Sequence, residues 1–159
     1  METVEARLER LGLTLPPAPA ALAAYVPAHV LPLSGETSLL FIAGQVSSAG
    51  GEFMTGRVPD QVDLDRARAA ARAAAVNVLA QIKSAGFLER VIQVSQLTGF
   101  VNSTADFGHQ PEVVNAASEL LVEVLGEAGR HTRVAVGAAS LPRGVTVELS
   151  AVVAVRSRD

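Results

Sequence analysis

The chain contains no cysteine and no tryptophan, one tyrosine (Tyr25) and five phenylalanines. Without cysteine there is no disulfide, no thiol nucleophile and no thiolate-held metal, a usage compatible with the reducing cytoplasm, where we expect the protein to reside. Aromatic residues are 4% of the sequence, too few to form a stacking platform for bases. Charged residues are also scarce, at 18%, with a net charge of -3. A chain of that sign has no general attraction for a phosphate backbone, so no nucleic acid is expected as a partner. The three histidines, His29, His109 and His131, stand far apart and lack the spacing of a metal site. Each is expected to sit at the surface or in a hydrogen bond, and no metal is expected. No Walker loop, dinucleotide-binding glycine motif or G-x-S-x-G elbow is present.

Small and apolar residues dominate instead. Hydrophobic residues make up 49% of the 159 positions, and the mean hydropathy is +0.33. This length suits one domain, residues 1–159. A surplus of apolar residues over charge suggests that the chain also buries surface against copies of itself. From Leu11 to Leu33 there is no charged residue, but Pro16, Pro17, Pro19, Pro27 and Pro32 break the run. Proline lacks a backbone donor and disrupts continuous helix, so the run predicts an extended, surface-hugging segment and no membrane span. The acidic, helix-like residues before it are the wrong start for a signal peptide. Residues 1–24 thus form an N-terminal helix and a Pro/Ala-rich extension.

The rest alternates between strand and helix signals. Val4, Leu8 and Leu11 predict a short helix from about Glu2 to Leu11, ended by Gly12. Strands are expected over Tyr25–Leu33 and Ser38–Gln45, joined by a Ser34-Gly35 turn, with a Ser- and Gly-rich loop to Pro59. A long helix is expected from an N-cap at Asp60, with Asp63 in its first turn. Leu64, Ala67, Ala71, Ala75, Val78 and Ile82 form its apolar stripe. A strand from Val91 to Val101 follows, in which Gly99 marks a bulge or a close backbone approach. The loop Asn102–Gln110 leads to a second helix, with Pro111 in its first turn and Val113, Ala117, Leu120 and Val124 on its buried face. His131–Ser140 and Val145–Val155 are expected to pair as a hairpin around Leu141-Pro142-Arg143-Gly144. The order β-β-α-β-α-β-β predicts an α+β domain: one mixed sheet with two long helices on one face. The other face needs cover, which a homo-oligomer supplies.

That hairpin carries the candidate chemistry. Its expected register puts Arg133 opposite Val152 and on the same face as Glu148, with Cα atoms about 13 Å apart. Ala135 and Gly137, next along that face, are expected to leave open space around the guanidinium. Arg can grip a carboxylate bidentately there, although an interface ion pair would explain it as well. Asp63 and Asp65 with Arg66, Arg68 and Arg72 suggest a solvated helix face.

The segment from Arg133 to Val155 resembles the C-terminal signature of the Rid/YjgF family, R-x-x-V-x-x-x-x-L-P-x-x-x-x-[VI]-E. Tyr25-Val26, Phe41-Ile42-Ala43-Gly44-Gln45-Val46, Gly56-Arg57-Val58-Pro59 and Val114-Asn115 resemble further motifs of that family, in the right order. The N-terminal extension and the context Gly129-Arg130-His131-Thr132-Arg133 resemble a longer-chain branch. The resemblance implies a chorismate-mutase-like homotrimer with sites in clefts between subunits. It also implies cofactor-independent hydrolysis of reactive enamines and imines, such as 2-aminoacrylate, to 2-oxo acids and ammonia. Carried over, Arg133 binds the substrate carboxylate and Glu148 orients water or transfers a proton. Tyr25, Gly44 and Asn115 line the site, as does Ala135, through its backbone N–H where the family often has cysteine. His131 stands where the family usually has proline.

Other functions remain open at this level. The same pocket could serve a non-catalytic, small-carboxylate-binding or regulatory trimer. Endoribonuclease activity fits poorly with the acidic charge and scarce aromatics. Tautomerase or mutase chemistry would rest on fold analogy alone.

Overall fold

A computed structural model describes residues 2–158. Seven strands and three α-helices follow one another as α1 (Val4–Arg10), β1 (Ala28–Pro32), β2 (Thr37–Val46), β3 (Ser48–Ala49), β4 (Glu52–Phe53), α2 (Leu64–Ser84), β5 (Val91–Asn102), α3 (Gln110–Leu125), β6 (Thr132–Ala138) and β7 (Val147–Arg156). Five strands form one sheet in the order β1-β2-β7-β5-β6, and β3 with β4 forms a small separate hairpin. All neighbours in the large sheet are antiparallel except β5 and β6. The mixed sheet with two long helices on one face is as expected; the β3–β4 hairpin falls where only a loop was expected.

Burial alternates strictly along β7. Val147, Leu149, Ala151, Val153 and Val155 are buried, whereas Glu148, Ser150, Val152 and Ala154 are half-buried. The buried set meets α2 and α3. Ala67, Ala70, Ala71, Ala74 and Ala75 are essentially inaccessible on α2, and small side chains let the helix lie close to the sheet. Leu64, expected in this stripe, is instead exposed at the first helical position. On α3, Val113, Ala117, Leu120 and Val124 are fully buried, as their spacing predicts. Gly99 serves a close approach: a Cβ there would lie 2.9 Å from the Val114 side chain.

Two expectations are corrected. Helix α2 is capped by Asp63, not Asp60; the Asp63 side chain accepts from Arg66 N at 2.8 Å. Asp60 pairs with Arg57, while Gln61 N donates to Arg57 O, so a turn precedes the helix. The larger correction concerns the last two strands, which do not pair with each other. Strand β5 lies between them, antiparallel to β7 and parallel to β6. A ten-residue apolar strand such as β7 gains more from two neighbours than from a hairpin edge. The shorter β6 takes the edge. The connection runs through a 3-10 turn, Pro142–Gly144, in which Arg143 has φ 60° and Gly144 φ 67°.

The N-terminal segment behaves as its prolines require. Thr3 caps α1, and the Glu89 carboxylate accepts from Val4 N and Glu5 N, fixing the helix beside α3. Residues 13–23 then run as a strap without helix or strand. Gln81, buried on α2, donates to Pro19 O at 2.7 Å and holds that strap down. No helix among the described residues is long and apolar enough to cross a membrane.

Candidate functional site

Between Ile42 and Gln45 the register of β2 shifts against β7: Ile42 faces Ala151 and Gln45 faces Leu149. Ala43 and Gly44 therefore oppose the single residue Ser150, a bulge that re-aims the strand. The bulge brings Gly44 against Glu148. A Cβ on Gly44 would lie 2.1 Å from Glu148 Oε1, so glycine is what lets the carboxylate rest there. Among the described residues the Glu148 carboxylate has no hydrogen-bond or salt-bridge partner, and burial pushes its pKa above the ordinary glutamate value. Gln45 is buried beside it. Its amide donates to Ala43 O and Gly44 O, and its carbonyl accepts from Gln81, which also holds Pro19.

Glu148 and Gly44 line a cavity of about 1470 Å³, walled by the strap, the end of β2, the β3–β4 hairpin and α2. Tyr25 belongs to the same wall, and its hydroxyl accepts from Leu22 N at 3.3 Å. Three of the sequence-derived candidates, Tyr25, Gly44 and Glu148, are therefore brought together.

The other three lie elsewhere. Arg133 faces α3, where its guanidinium donates to Ser118 Oγ at 3.1 Å and to Pro111 O at 3.1 Å. Asn115 lies between those two residues on the same helical face, one turn from each. Ala135 follows Arg133 on the same face of edge strand β6, half-buried. The space expected at Gly137 is occupied: a Cβ there would meet Ser103 Oγ at 2.7 Å and Gln110 Nε2 at 3.0 Å.

The expectation that Arg133 and Glu148 share a face is overturned. Arg133 pairs with Leu97, and Leu97 pairs with Ala151, not Val152. Glu148 pairs with Phe100, which pairs with Val136. Three residues separate Val136 from Arg133, an odd step, so the two side chains leave opposite faces of the sheet. Two strand spacings and three residues put their Cα atoms about 14 Å apart within one chain. The sequence-derived candidates thus fall into two groups: Tyr25, Gly44 and Glu148 at the cavity, and Arg133, Asn115 and Ala135 at the β6 edge.

Two polar residues beside Arg133 were not among the sequence-derived candidates. His131 Nδ1 lies 2.6 Å from Gly129 O, so this nitrogen carries the proton and Nε2 accepts from Ser118 Oγ at 2.9 Å. Ser118 in turn accepts from Arg133, which completes a directed chain Arg133–Ser118–His131. Periodicity held the signal: Ser118 is seven residues after Pro111 on the helix, and His131 is two before Arg133 along the strand. The other histidines are at the surface. His29 is exposed, and His109 pairs with Glu112 at 3.2 Å, which lowers the Glu112 pKa. Among the described residues no cluster of three or more metal-ligating side chains exists.

Comparison with known proteins places this architecture. Residues 5–152 match the family described as "YjgF/chorismate mutase-like, putative endoribonuclease". The chain belongs to the YjgF family. Within it, Protein TCP17 of Trypanosoma cruzi is 44% identical over 154 residues, covering 94% of this chain and 92% of that protein. The crystal structure of an Agrobacterium tumefaciens protein of unknown function is 44% identical, with a TM-score of 0.83, over 96% of this chain and 94% of that one. A "putative endoribonuclease" from Shewanella oneidensis MR-1 is 31% identical, with a TM-score of 0.82, over 95% and 98%. Escherichia coli TdcF, solved with bound serine, is 26% identical, with a TM-score of 0.62, over 88% and 94%. The matched residues 5–152 span the strap, the bulge at Gly44 and the edge strand bearing Arg133.

Proposed function

We propose that this YjgF-family protein hydrolyses reactive enamines and imines of the 2-aminoacrylate type to 2-oxo acids and ammonia, without a cofactor, in clefts between the subunits of a homotrimer. The observation that carries the reading is the division of the candidate residues into two half-sites on opposite faces. Neither half suffices for an imino acid. The cavity half offers a carboxylate, and the cation that lines it, Arg72, is engaged by Glu123; the β6 half offers the cation without a general base. A neighbouring copy that brings its Arg133 edge to the Glu148 cavity completes both.

The exposed sheet face favours such an assembly. Leu31, Phe41, Val134 and Val136 lie on the face away from the helices, and each is exposed by 39–45%. Large apolar side chains exposed together on one sheet face are ordinarily covered by a partner.

The chemistry asks little more. The enamine tautomerises to the imine, water adds to the imine carbon, and the tetrahedral intermediate expels ammonia as the carbonyl forms. Arg133 holds the substrate carboxylate. Glu148 takes a proton from the attacking water and returns one to the leaving nitrogen, a role that contributes roughly 10²–10⁴-fold. Its raised pKa suits both directions of transfer.

Binding of a small carboxylate without turnover is the second reading, favoured by the serine held by TdcF. An RNA substrate is disfavoured by the net charge of -3, which gives no general attraction for a phosphate backbone. The test is ammonia release from enzymatically generated 2-aminoacrylate. Acceleration over the uncatalysed rate that disappears in Glu148→Gln supports hydrolysis. Pyruvate binding without acceleration supports the second reading.

A further inference from the structure

Helix α3 holds Arg133 without using up its donors. The guanidinium gives one N–H to Ser118 Oγ at 3.1 Å and one to Pro111 O at 3.1 Å, which leaves the other N–H groups for a ligand. Among the described residues no carboxylate pairs with Arg133; Glu112, beside Pro111, is taken by His109. Ser118 lies inside α3, where a serine hydroxyl can bond back to the carbonyls of its own helix. Here it reaches away from the helix, donating to His131 Nε2 at 2.9 Å and accepting from Arg133. The other ring nitrogen sets that direction. His131 Nδ1 donates to Gly129 O at 2.6 Å, so Nε2 of the neutral ring can only accept. Gly129 is itself locked: it is buried against α3, and a Cβ there would collide with Leu121 O. The backbone on either side of His131 is pinned by other groups. Gln93 Nε2 donates to Arg130 O, and Thr132 Oγ1 donates to Ser95 O at 2.8 Å. The imidazole is therefore not what ties the strand down.

We propose that His131 is a positioning residue for the Arg133 carboxylate clamp. Its Nε2 lone pair takes the Ser118 proton, which turns the Ser118 lone pairs toward Arg133 and fixes the plane in which the guanidinium meets a carboxylate. The inference rests on the reading above that Arg133 binds the substrate carboxylate, and it adds what aims that group. Guanidinium and carboxylate pair as two parallel hydrogen bonds, so an acceptor that fixes the fork before the ligand arrives raises affinity. Without an acceptor at Nε2, the Ser118 hydroxyl returns to its own helix and Arg133 keeps only Pro111 O. His131 touches no reacting atom, so its loss acts on binding and leaves the chemical step alone.

Asparagine and glutamine separate the two ring nitrogens, because each keeps one of the two bonds. His131→Asn places its amide where Nδ1 stood, keeping the donor to Gly129 O and losing the acceptor for Ser118. His131→Gln places its amide oxygen where Nε2 stood and keeps that acceptor. Calorimetry on the full-length proteins follows pyruvate binding, and ammonia release from 2-aminoacrylate gives kcat and KM. His131→Asn should bind pyruvate about fivefold more weakly, the loss of one hydrogen bond, with KM raised in step and kcat unchanged. His131→Gln should match the parent. A role only in holding strand β6, through the Gly129 bond, gives the reverse order. Equal affinity in all three proteins, equal loss in both variants, or loss in His131→Gln alone overturns the inference, while the clamp still stands if Arg133→Ala abolishes binding. No pyruvate binding by the parent, or binding unchanged in Arg133→Ala, overturns the clamp and the inference with it. If His131→Asn does not fold, nitrogen NMR of the parent carrying isotope-labelled histidine decides: His131 protonated on Nδ1 supports the relay, and protonation on Nε2 overturns it.

Discussion

Gly44 and Glu148 are in such close approach that a single methyl group on Gly44 would overlap the carboxylate, at 2.1 Å from Oε1. Gly44 has no positive φ, so alanine fits its backbone, and the atom displaced is the free end of a flexible side chain. Gly44→Ala should therefore keep its melting temperature while losing ammonia release by roughly 10²-fold, the contribution of a positioned general base. Full activity in a variant whose Glu148 has been pushed aside would mean that its carboxylate has no part in the reaction.

The elevated Glu148 pKa gives two linked pH effects. Hydrolysis that uses the carboxylate as base rises as pH increases through its pKa, so the acid limb of kcat/KM should lie above the ordinary glutamate range. Stability runs the other way. The folded chain holds this proton at pH values where the unfolded chain has lost it, so stability contributed by the neutral carboxyl is lost as pH rises through the folded pKa. Glu148→Gln should be more stable relative to the parent at pH 7 than at pH 4. Denaturant titrations at the two pH values check the sign.

Ser118 accepts a hydrogen bond from Arg133, and in the proposed reaction it orients that guanidinium without touching the substrate. Ser118→Ala breaks the link to His131 and frees the guanidinium to tilt, at a cost of about 1 kcal/mol in substrate binding. KM should rise several-fold with kcat nearly unchanged. Equal losses in both would place Ser118 in the chemical step.

Gln81 secures the strap from beneath. Gln81→Leu strands the buried Gln45 carbonyl and the half-buried Pro19 O, at a cost of about 1–3 kcal/mol. Chemical denaturation should register that loss, and hydrogen exchange should quicken around residues 13–27. Unchanged exchange there would mean that the strap is held by packing alone.

Local signals explain which parts were legible in the sequence. Alternation along Val147–Val155 and the stripes on α2 and α3 depend on neighbouring residues, so both the elements and their buried faces could be read directly. Asp60 and Asp63 are equally good caps by composition; the Arg57–Asp60 pair, which claims Asp60 first, decides between them. Strand order is a different matter. Whether β6 lies beside β7 or beyond β5 depends on a contact about 35 residues away, Leu97 with Arg133, for which no local pattern exists. That one error put Arg133 and Glu148 on a common face. Tyr25, Gly44, Asn115 and Ala135 came from family motifs, Arg133 and Glu148 were singled out first on the expected hairpin, and their division into two groups emerged only from the sheet order. Ser118 and His131 were within reach, since helical and strand periods align them with Asn115 and Arg133.

Opposite faces also make the central claim testable in a single measurement. Arg133→Ala and Glu148→Gln proteins, each inactive alone, are unfolded, mixed in equal amounts and refolded, with subunit mixing verified by mass. If each site takes Arg133 from one chain and Glu148 from its neighbour, about a quarter of the interfaces regain both residues, and ammonia release should recover to about that fraction of the parent rate. No recovery in verified mixed trimers would place both residues in one chain's site and contradict the account.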